Sequence, residues 1–305
     1  MKNLKIKSIL AIIIFIAVFS GKTKAQEEKS LLWEISGNGL KQHSFLFGTV
    51  HLVPQEKYFF TDEMQIAFNK CKTLALEVDM DDISLAQQLS MAKKIMIPDK
   101  KTIKDFVSKK DFERLTTYMI DSMKVDKKMF NQIKSLKPIF AVSMILLKLV
   151  KDPVTYEVKL MEAAKKKKMD IVGLETIEFQ FSTIDKIPVE EQIKSVYLES
   201  IGKSPLEEYN KMVDAYVEQD LKKLKELVEE DKTVKDFQKD LLETRNTNWI
   251  PVMEKFAKKQ STFFAVGAAH LVGKIGLIQL LRDKGFTVSA VKKMGTFEKI
   301  FWMMK

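Results

Sequence analysis

The chain has 305 residues, of which 46% are apolar and 30% charged, with a formal net charge of +10 and a single cysteine. This is the balance of a globular chain with a core to bury, and the lone Cys71 excludes an intrachain disulfide and a thiolate-rich zinc site within one chain. Lys2, Lys5, Lys7, Lys22 and Lys24 lie in the first 25 residues with no acid among them, so the remainder carries only +5 of the +10. Without an arginine cluster or an aromatic-interleaved basic stripe, that excess argues against a nucleic-acid partner.

Residues 1–25 read as a secretory signal: a lysine-bearing start, an apolar run over residues 9–19, and a small-residue cleavage site ending at Ala25. The run is too short to cross a bilayer core of roughly 30 Å. The expectation is an exported chain, periplasmic or extracellular after cleavage near Ala25, with no transmembrane span in its mature part. Residues 26–305 are then expected to form a single domain.

Residues 26–30 read as disordered. Residues 31–35 and 44–47 read as strands joined through Gly37, Asn38 and Gly39, residues that tolerate positive φ. His43 reads as an exposed residue at the start of the second strand. That strand leads into Gly48-Thr49-Val50-His51. Thr61 and Asp62 can cap a helix running to about Lys72. Residues 74–78 form a short apolar strand broken by Glu77, a carboxylate that must be paired, protonated or metal-bound if buried. Cys71 reads as a small core residue.

From Thr49 to Val172 there is no glycine, and apolar residues recur at helical spacing, as at Leu85, Leu89 and Ala92. We expect mostly helical cap segments over about 81–168 and 188–257, with the apolar run 138–150 as a buried helix. Met91, Met96, Met119, Met123, Met129 and Met144 read as core filler. Residues 155–168 form a helix and 170–173 a short strand. Residues 241–250 concentrate hydrogen-bonding groups. Residues 262–266 are the strand before Gly267-Ala268-Ala269-His270. A helix follows over 273–284, closed by Gly285, and then a last strand over 286–291. The apolar C-terminal tail can pack on the domain or on a partner.

Two of the three histidines thus close matching motifs, each a strand, then Gly-x-x-His, then a helix and a second strand. The expected fold is α/β: a central sheet from two pseudo-repeated halves, with a helical insertion forming a cleft wall. Histidines beyond strand ends stand where open α/β sheets place their ligands. His51 and His270 with Glu77 are a recurrent set for a divalent metal, which lowers the pKa of bound water and polarises a carbonyl. The same pair also fits hydrogen-bonded rim residues of a non-catalytic cleft, and spacing alone does not choose.

The segments Gly-Thr-Val-His, Leu-Ala-Leu-Glu-Val-Asp (74–79), Val-Gly-Leu-Glu-Thr-Ile-Glu-Phe-Gln (172–180), Arg-Asn-Thr-Asn-Trp (245–249) and the stretch 266–288 resemble the TraB/GumN/PrgY family, which is related to the Tiki metalloproteases. The resemblance covers about residues 31–292. It implies an EreA/ChaN-like fold with His51, His270 and Glu77 at the active centre. Glu175 and Gln180 match its Leu-Glu-Thr…Gln block, Arg245 and Asn246 its Arg-Asn pair, and Trp33 the tryptophan of its first strand. Where the family carries Tyr-Gly-Val-Asp, this chain has Tyr156, Glu157, Val158 and Lys159, so either Glu157 takes over from the aspartate or the site is altered.

The resulting expectation is a divalent-metal-dependent hydrolase (Mn, Co or Zn), acting as a peptidase on peptide or protein substrates. His51 and His270 bind metal, Glu77 is a third ligand or the general base, Arg245 or Asn246 stabilises the oxyanion, and Glu175 is a further catalytic group. Trp33, Tyr156, Glu157 and Gln180 line the cleft. The alternatives are an exported protein that sequesters a peptide, haem or metal without turnover, and a surface interaction protein using the insertion and tail.

Overall fold

A computed structural model describes residues 29–230 and 232–304. Residues 1–25, read above as a secretory signal, and the expected cleavage site lie outside the described residues. Among those residues no helix is long and apolar enough to cross a membrane.

The first hairpin forms where the glycines predict it. β1 (Leu32–Gly37) pairs antiparallel with β2 (Ser44–Thr49), and Gly37, Asn38 and Gly39 all adopt positive φ in the turn, a conformation with little penalty for these residues. His43 is exposed and contacts Glu34 through Nδ1 at 2.8 Å. The start of the described chain is more ordered than its polarity suggests: Ser30 is buried, its hydroxyl donating to the Leu32 and Val291 carbonyls, and Lys29 pairs with Asp220 at 2.9 Å.

β3 (Val53–Pro54) and β5 (Pro153–Val154) form a small antiparallel pair. The main sheet adds β4 (Thr73–Leu76), β6 (Asp170–Gly173), β7 (Thr262–Gly267) and β8 (Phe286–Ala290), in the order β6-β4-β7-β2-β1-β8. β6, β4, β7 and β2 are mutually parallel, and β1 is antiparallel to both β2 and β8. After β2 the chain moves to β4 on one side, and after the adjacent β7 it moves to β8 on the other. Crossovers leaving neighbouring strands in opposite directions open a crevice at the carboxyl ends of the strands.

Right-handed crossovers place the connecting helices on opposite faces. Helix Asp62–Lys70, capped by Thr61 accepting from the Met64 N–H, lies on the face of Phe47 and Phe263, where Phe68 meets Phe263 edge-on at 5.3 Å. On the other face Trp33 and Leu46 are cross-strand partners, and Arg282 of helix Leu277–Asp283 covers the Trp33 ring. The C-terminal helix Thr296–Met304 packs on the domain itself, with Trp302 against Phe45 and Lys299 paired to Asp62 at 2.8 Å.

Segment 81–152 is helical, with one isolated bridge, Met96 to Leu136, instead of strands. Its helices bury only part of what their spacing predicts: Leu115, Tyr118 and Met119 are buried. Helix Leu85–Lys94 turns Leu85 and Leu89 outward, 71% and 58% exposed. Helix Pro138–Leu149 buries Pro138, Ala141 and Ile145 but exposes Met144 and Leu147, so it is not the buried helix its composition suggests. Of the six methionines read as filler, Met119 and Met123 are buried while Met96 and Met144 are exposed. The physical reason is that these helices form a thin layer over small clusters: helix Leu85–Lys94 meets Val78, Ile177 and Phe181 through Met91, and helix Pro138–Leu149 joins Ile103, Leu115 and Ile133 through Ala141 and Ile145. A one-sided layer leaves part of a broad apolar stripe in solvent.

Candidate active site

The carboxyl ends of four parallel strands converge on one region. Glu77 follows β4 directly, Glu175 follows β6, Gly267 ends β7 with His270 in the turn after it, and His51 lies two residues beyond β2. Helix Thr244–Lys259 brings Arg245, Asn246 and Trp249 to the same place. A π-turn, Lys239–Glu243, immediately precedes that helix and accompanies Arg245 at its first turn.

Arg245 is the hub. Its Nη2 donates to Glu77 Oε2 at 2.6 Å and to Glu175 Oε1 at 2.7 Å, and its Nε donates to Glu175 at 3.0 Å. Its Nη1 donates to His270 Nε2 at 3.1 Å and to the Leu241 carbonyl at 3.3 Å. A guanidinium has five N–H donors, and these contacts occupy all of them. Glu77 also accepts from the Gly267 N–H at 2.8 Å and from Gln180 at 3.1 Å. Trp249 Nε1 donates to Glu175 Oε2 at 2.9 Å, and its ring packs at a tilt against His270 at 4.5 Å and under the Arg245 guanidinium at 4.8 Å.

His270 is held on both nitrogens. Arg245 has no lone pair to accept with, so Nε2 is the bare nitrogen and Nδ1 carries the proton, given to Asn246 Oδ1 at 2.6 Å. Asn246 Nδ2 in turn donates to the Ile275 carbonyl at 2.7 Å and the His270 carbonyl at 3.3 Å. Burial pushes His270 down to about 3, with the Arg245 charge acting the same way and Glu77 opposing. The ring is neutral at physiological pH. Burial by itself would raise the Glu77 carboxyl, but the cationic groups around it and the Gly267 N–H hold it at about 2. Because His270 is neutral at physiological pH, Arg245, in direct contact, is the main charge that keeps Glu77 ionised, with His51 acting the same way. Burial raises Glu175 from its ordinary value, against the pull of Arg245.

His51 differs from His270 in every respect but sequence context. β2 and β7 are neighbours, yet Thr49 pairs with Gly267, so the two Gly-x-x-His motifs run one residue out of step. Residues 268–270 tighten into a 3₁₀ turn that buries His270, whereas the His51 side chain is 76% exposed. Its Nδ1 lies 3.2 Å from Glu157 Oε1, which also accepts from Thr49 Oγ1 at 2.8 Å, and Nε2 has no partner among the described residues. The Glu157 carboxylate raises the imidazole above its ordinary value; Glu77 adds to this, while Arg245 opposes it.

These contacts decide where each expected site residue stands. Glu77, Glu175, Arg245, Asn246, His270 and Gln180 form one buried network, with His51 and Glu157 at its open edge. Trp33 lies within β1, its Nε1 donating to Ser30, and takes no part. Tyr156 is buried among aromatic rings, its hydroxyl donating to the Phe59 carbonyl. Arg245 and Asn246, expected to stabilise an oxyanion, have every side-chain N–H engaged by protein acceptors. The network residues missed from sequence are Trp249, Thr49 and the Gly267 N–H. Trp249 was legible as the end of the Arg-Asn-Thr-Asn-Trp segment, one helical turn beyond Arg245.

The expected metal set does not fit the donors as they are arranged. His270 Nε2 and Glu77 Oε2, two of the atoms a metal would need, both accept from Arg245. A fixed guanidinium beside them also repels a dication. Among the described residues no three His, Cys, Asp or Glu side chains group to hold a metal ion.

No curated protein and no solved structure matches the chain significantly. The sequence model of the TraB/PrgY/gumN family does, over residues 31–290, which takes in every strand and every residue of this network. With so much of its length covered, the chain belongs to the TraB/PrgY/gumN family.

Proposed function

We propose that this chain is a hydrolase of acyl bonds in which His51 performs the proton transfers. The observation that carries the reading is the His51 ring itself: exposed, with Nδ1 3.2 Å from Glu157, Nε2 without a partner among the described residues, and the charges of Glu77 and Arg245 near enough to act on it. In this reading the Nε2 lone pair takes a proton from water as the hydroxide adds to the substrate carbonyl carbon. The protonated ring then returns that proton to the leaving nitrogen or oxygen as its bond to carbon breaks. The buried network holds the ends of β2, β4, β6 and β7 in fixed register around that point. The long Arg245 Nη1 contacts, 3.1 and 3.3 Å against 2.6 and 2.7 Å at Nη2, mark the N–H groups that a substrate oxygen can draw most easily from their present acceptors.

Peptides are the proposed substrate class, on the family resemblance, and an extracytoplasmic place of action rests on the segment 1–25. The divalent metal has the same basis, and the arrangement of donors does not favour it. A second reading, sequestration without turnover, is favoured by one observation: the donors of Arg245 and Asn246 are saturated. A quenched-fluorescence peptide library separates the readings. Turnover that falls 10²- to 10⁴-fold in His51→Ala and persists in chelator supports the metal-free hydrolase. Loss in chelator with a stoichiometric bound metal restores the metal reading, and binding without turnover favours sequestration.

A further inference from the structure

Glu157 is the second residue of helix Tyr156–Lys166 and touches the end of β2 at two points. Oε1 accepts the Thr49 hydroxyl at 2.8 Å and lies 3.2 Å from His51 Nδ1. Oε2 is buried and has no partner among the described residues. A carboxylate oxygen left unmatched in the interior opposes folding, so the contacts of this side chain are concentrated on the single oxygen that faces His51. Lys159 stands two residues further along the helix, about 200° around its axis, and is exposed. It is on the wrong side of the helix to reach the ring.

A carboxylate can only accept, so the 3.2 Å approach of Nδ1 to Glu157 Oε1 favours a proton on that nitrogen. In the neutral ring the lone pair then belongs to Nε2, on the open side. We propose that Glu157 is the positioning residue of His51: it fixes the ring's rotamer and its Nδ1–H tautomer, so that Nε2 is the nitrogen presented to water. Thr49 holds Glu157 in place from the strand that carries His51. The proposal rests on the hydrolase reading for the use of Nε2, but the tautomer exists whether or not the chain turns over a substrate.

The test is nitrogen-15 NMR of the His51 ring, recorded above its own pKa, in the wild type, Glu157→Ala and Glu157→Gln. The wild type should show the Nδ1–H form. Glu157→Ala should shift the ring to the Nε2–H form that free imidazole side chains prefer. Glu157→Gln keeps an acceptor oxygen and should restore much of the wild-type spectrum. On a peptide substrate, Glu157→Ala should lower kcat by about tenfold or more with little change in KM, Glu157→Gln should recover part of that, and neither should lower the melting temperature. Glu157→Leu serves if the alanine variant does not fold. A His51 spectrum in Glu157→Ala identical to the wild type, or undiminished kcat there when His51→Ala is inactive, overturns the proposal. Full turnover by His51→Ala would instead reject the hydrolase reading, and the ring spectra would still decide the role of Glu157.

Discussion

Arg245 shows how much one side chain can decide. It pairs with two buried carboxylates and sets the tautomer of a buried imidazole, with side-chain exposures of 9% for itself, 12% for Glu77 and 3% for Glu175. Arg245→Met would leave both carboxylates facing each other without a cation. The expected loss is on the order of 3–5 kcal/mol, measurable as a lowered urea midpoint at neutral pH. Arg245→Lys should recover only part of it, because an ammonium lacks the planar fork that spans two carboxylates and an imidazole at once. His51 gives a kinetic counterpart. The hydrogen bond to Glu157 favours its protonated form, so the basic form appears only above the ordinary imidazole range. The ascending limb of a pH–rate profile should therefore lie above pH 6.5 in the wild type and move to lower pH in Glu157→Gln. A limb that stays in place would show that another group controls the rate.

Short elements aim these side chains. The turn 271–276 supplies the Ile275 carbonyl that accepts from Asn246, and Gly276 then opens helix Leu277–Asp283. A Cβ at Gly276 would lie 2.4 Å from the carbonyl oxygens of both Leu271 and Val272, closer than any side chain tolerates. Those oxygens are backbone and cannot swing away, so Gly276→Ala must shift the turn. It should destabilise the fold and loosen Asn246 from His270, seen as loss of the slowly exchanging His270 Nδ1–H resonance. At Gly267 a Cβ would stand 3.3 Å from Glu77 Oε1, so that glycine leaves room for the carboxylate to reach the backbone N–H. The helices of the cap are less committed. Helix Leu85–Lys94 begins with a full capping box between Ser84 and Gln87, yet it holds no buried residue. Local signals alone stabilise its start, while its apolar stripe remains in solvent.

The whole molecule depends on pH through the groups it buries. His270 titrates at about 3 when folded, against 6.5 ordinarily, and Glu77 at about 2 against 4.5. Both folded values are depressed, so in both cases the unfolded chain binds the proton first as pH falls. The stability these groups contribute is present above their unfolded values. It is lost progressively below pH 6.5 for His270 and below pH 4.5 for Glu77, down to their folded values. Each contributes a slope of roughly 1.4 kcal/mol per pH unit within its window. Denaturation midpoints measured from pH 7 to pH 4 should fall along that slope. His270→Gln should flatten the part above pH 4.5, and an unchanged slope there would mean that His270 is not buried as a neutral ring.

The sequence by itself determined the local chemistry and the list of parts. Gly37-Asn38-Gly39 made the first hairpin, Thr61 capped its helix, Glu77 ended β4, and the Gly-x-x-His pair, Leu-Glu-Thr and Arg-Asn segments named most of the network. These are signals of residues acting on near neighbours, and such signals survive in a linear reading. Tertiary structure alone decided how the parts pair. Glu77 meets Arg245 across 168 residues and Thr49 meets Glu157 across 108. No periodicity encodes which cation will reach a buried carboxylate first. The same holds for the two histidines, whose motifs match while one ring is buried and the other open. It holds for Leu85 and Leu89, whose spacing marks an apolar face but not whether another layer lies over it. Those outcomes depend on the register between β2 and β7 and on where distant helices stop. They are settled only when the strands are side by side.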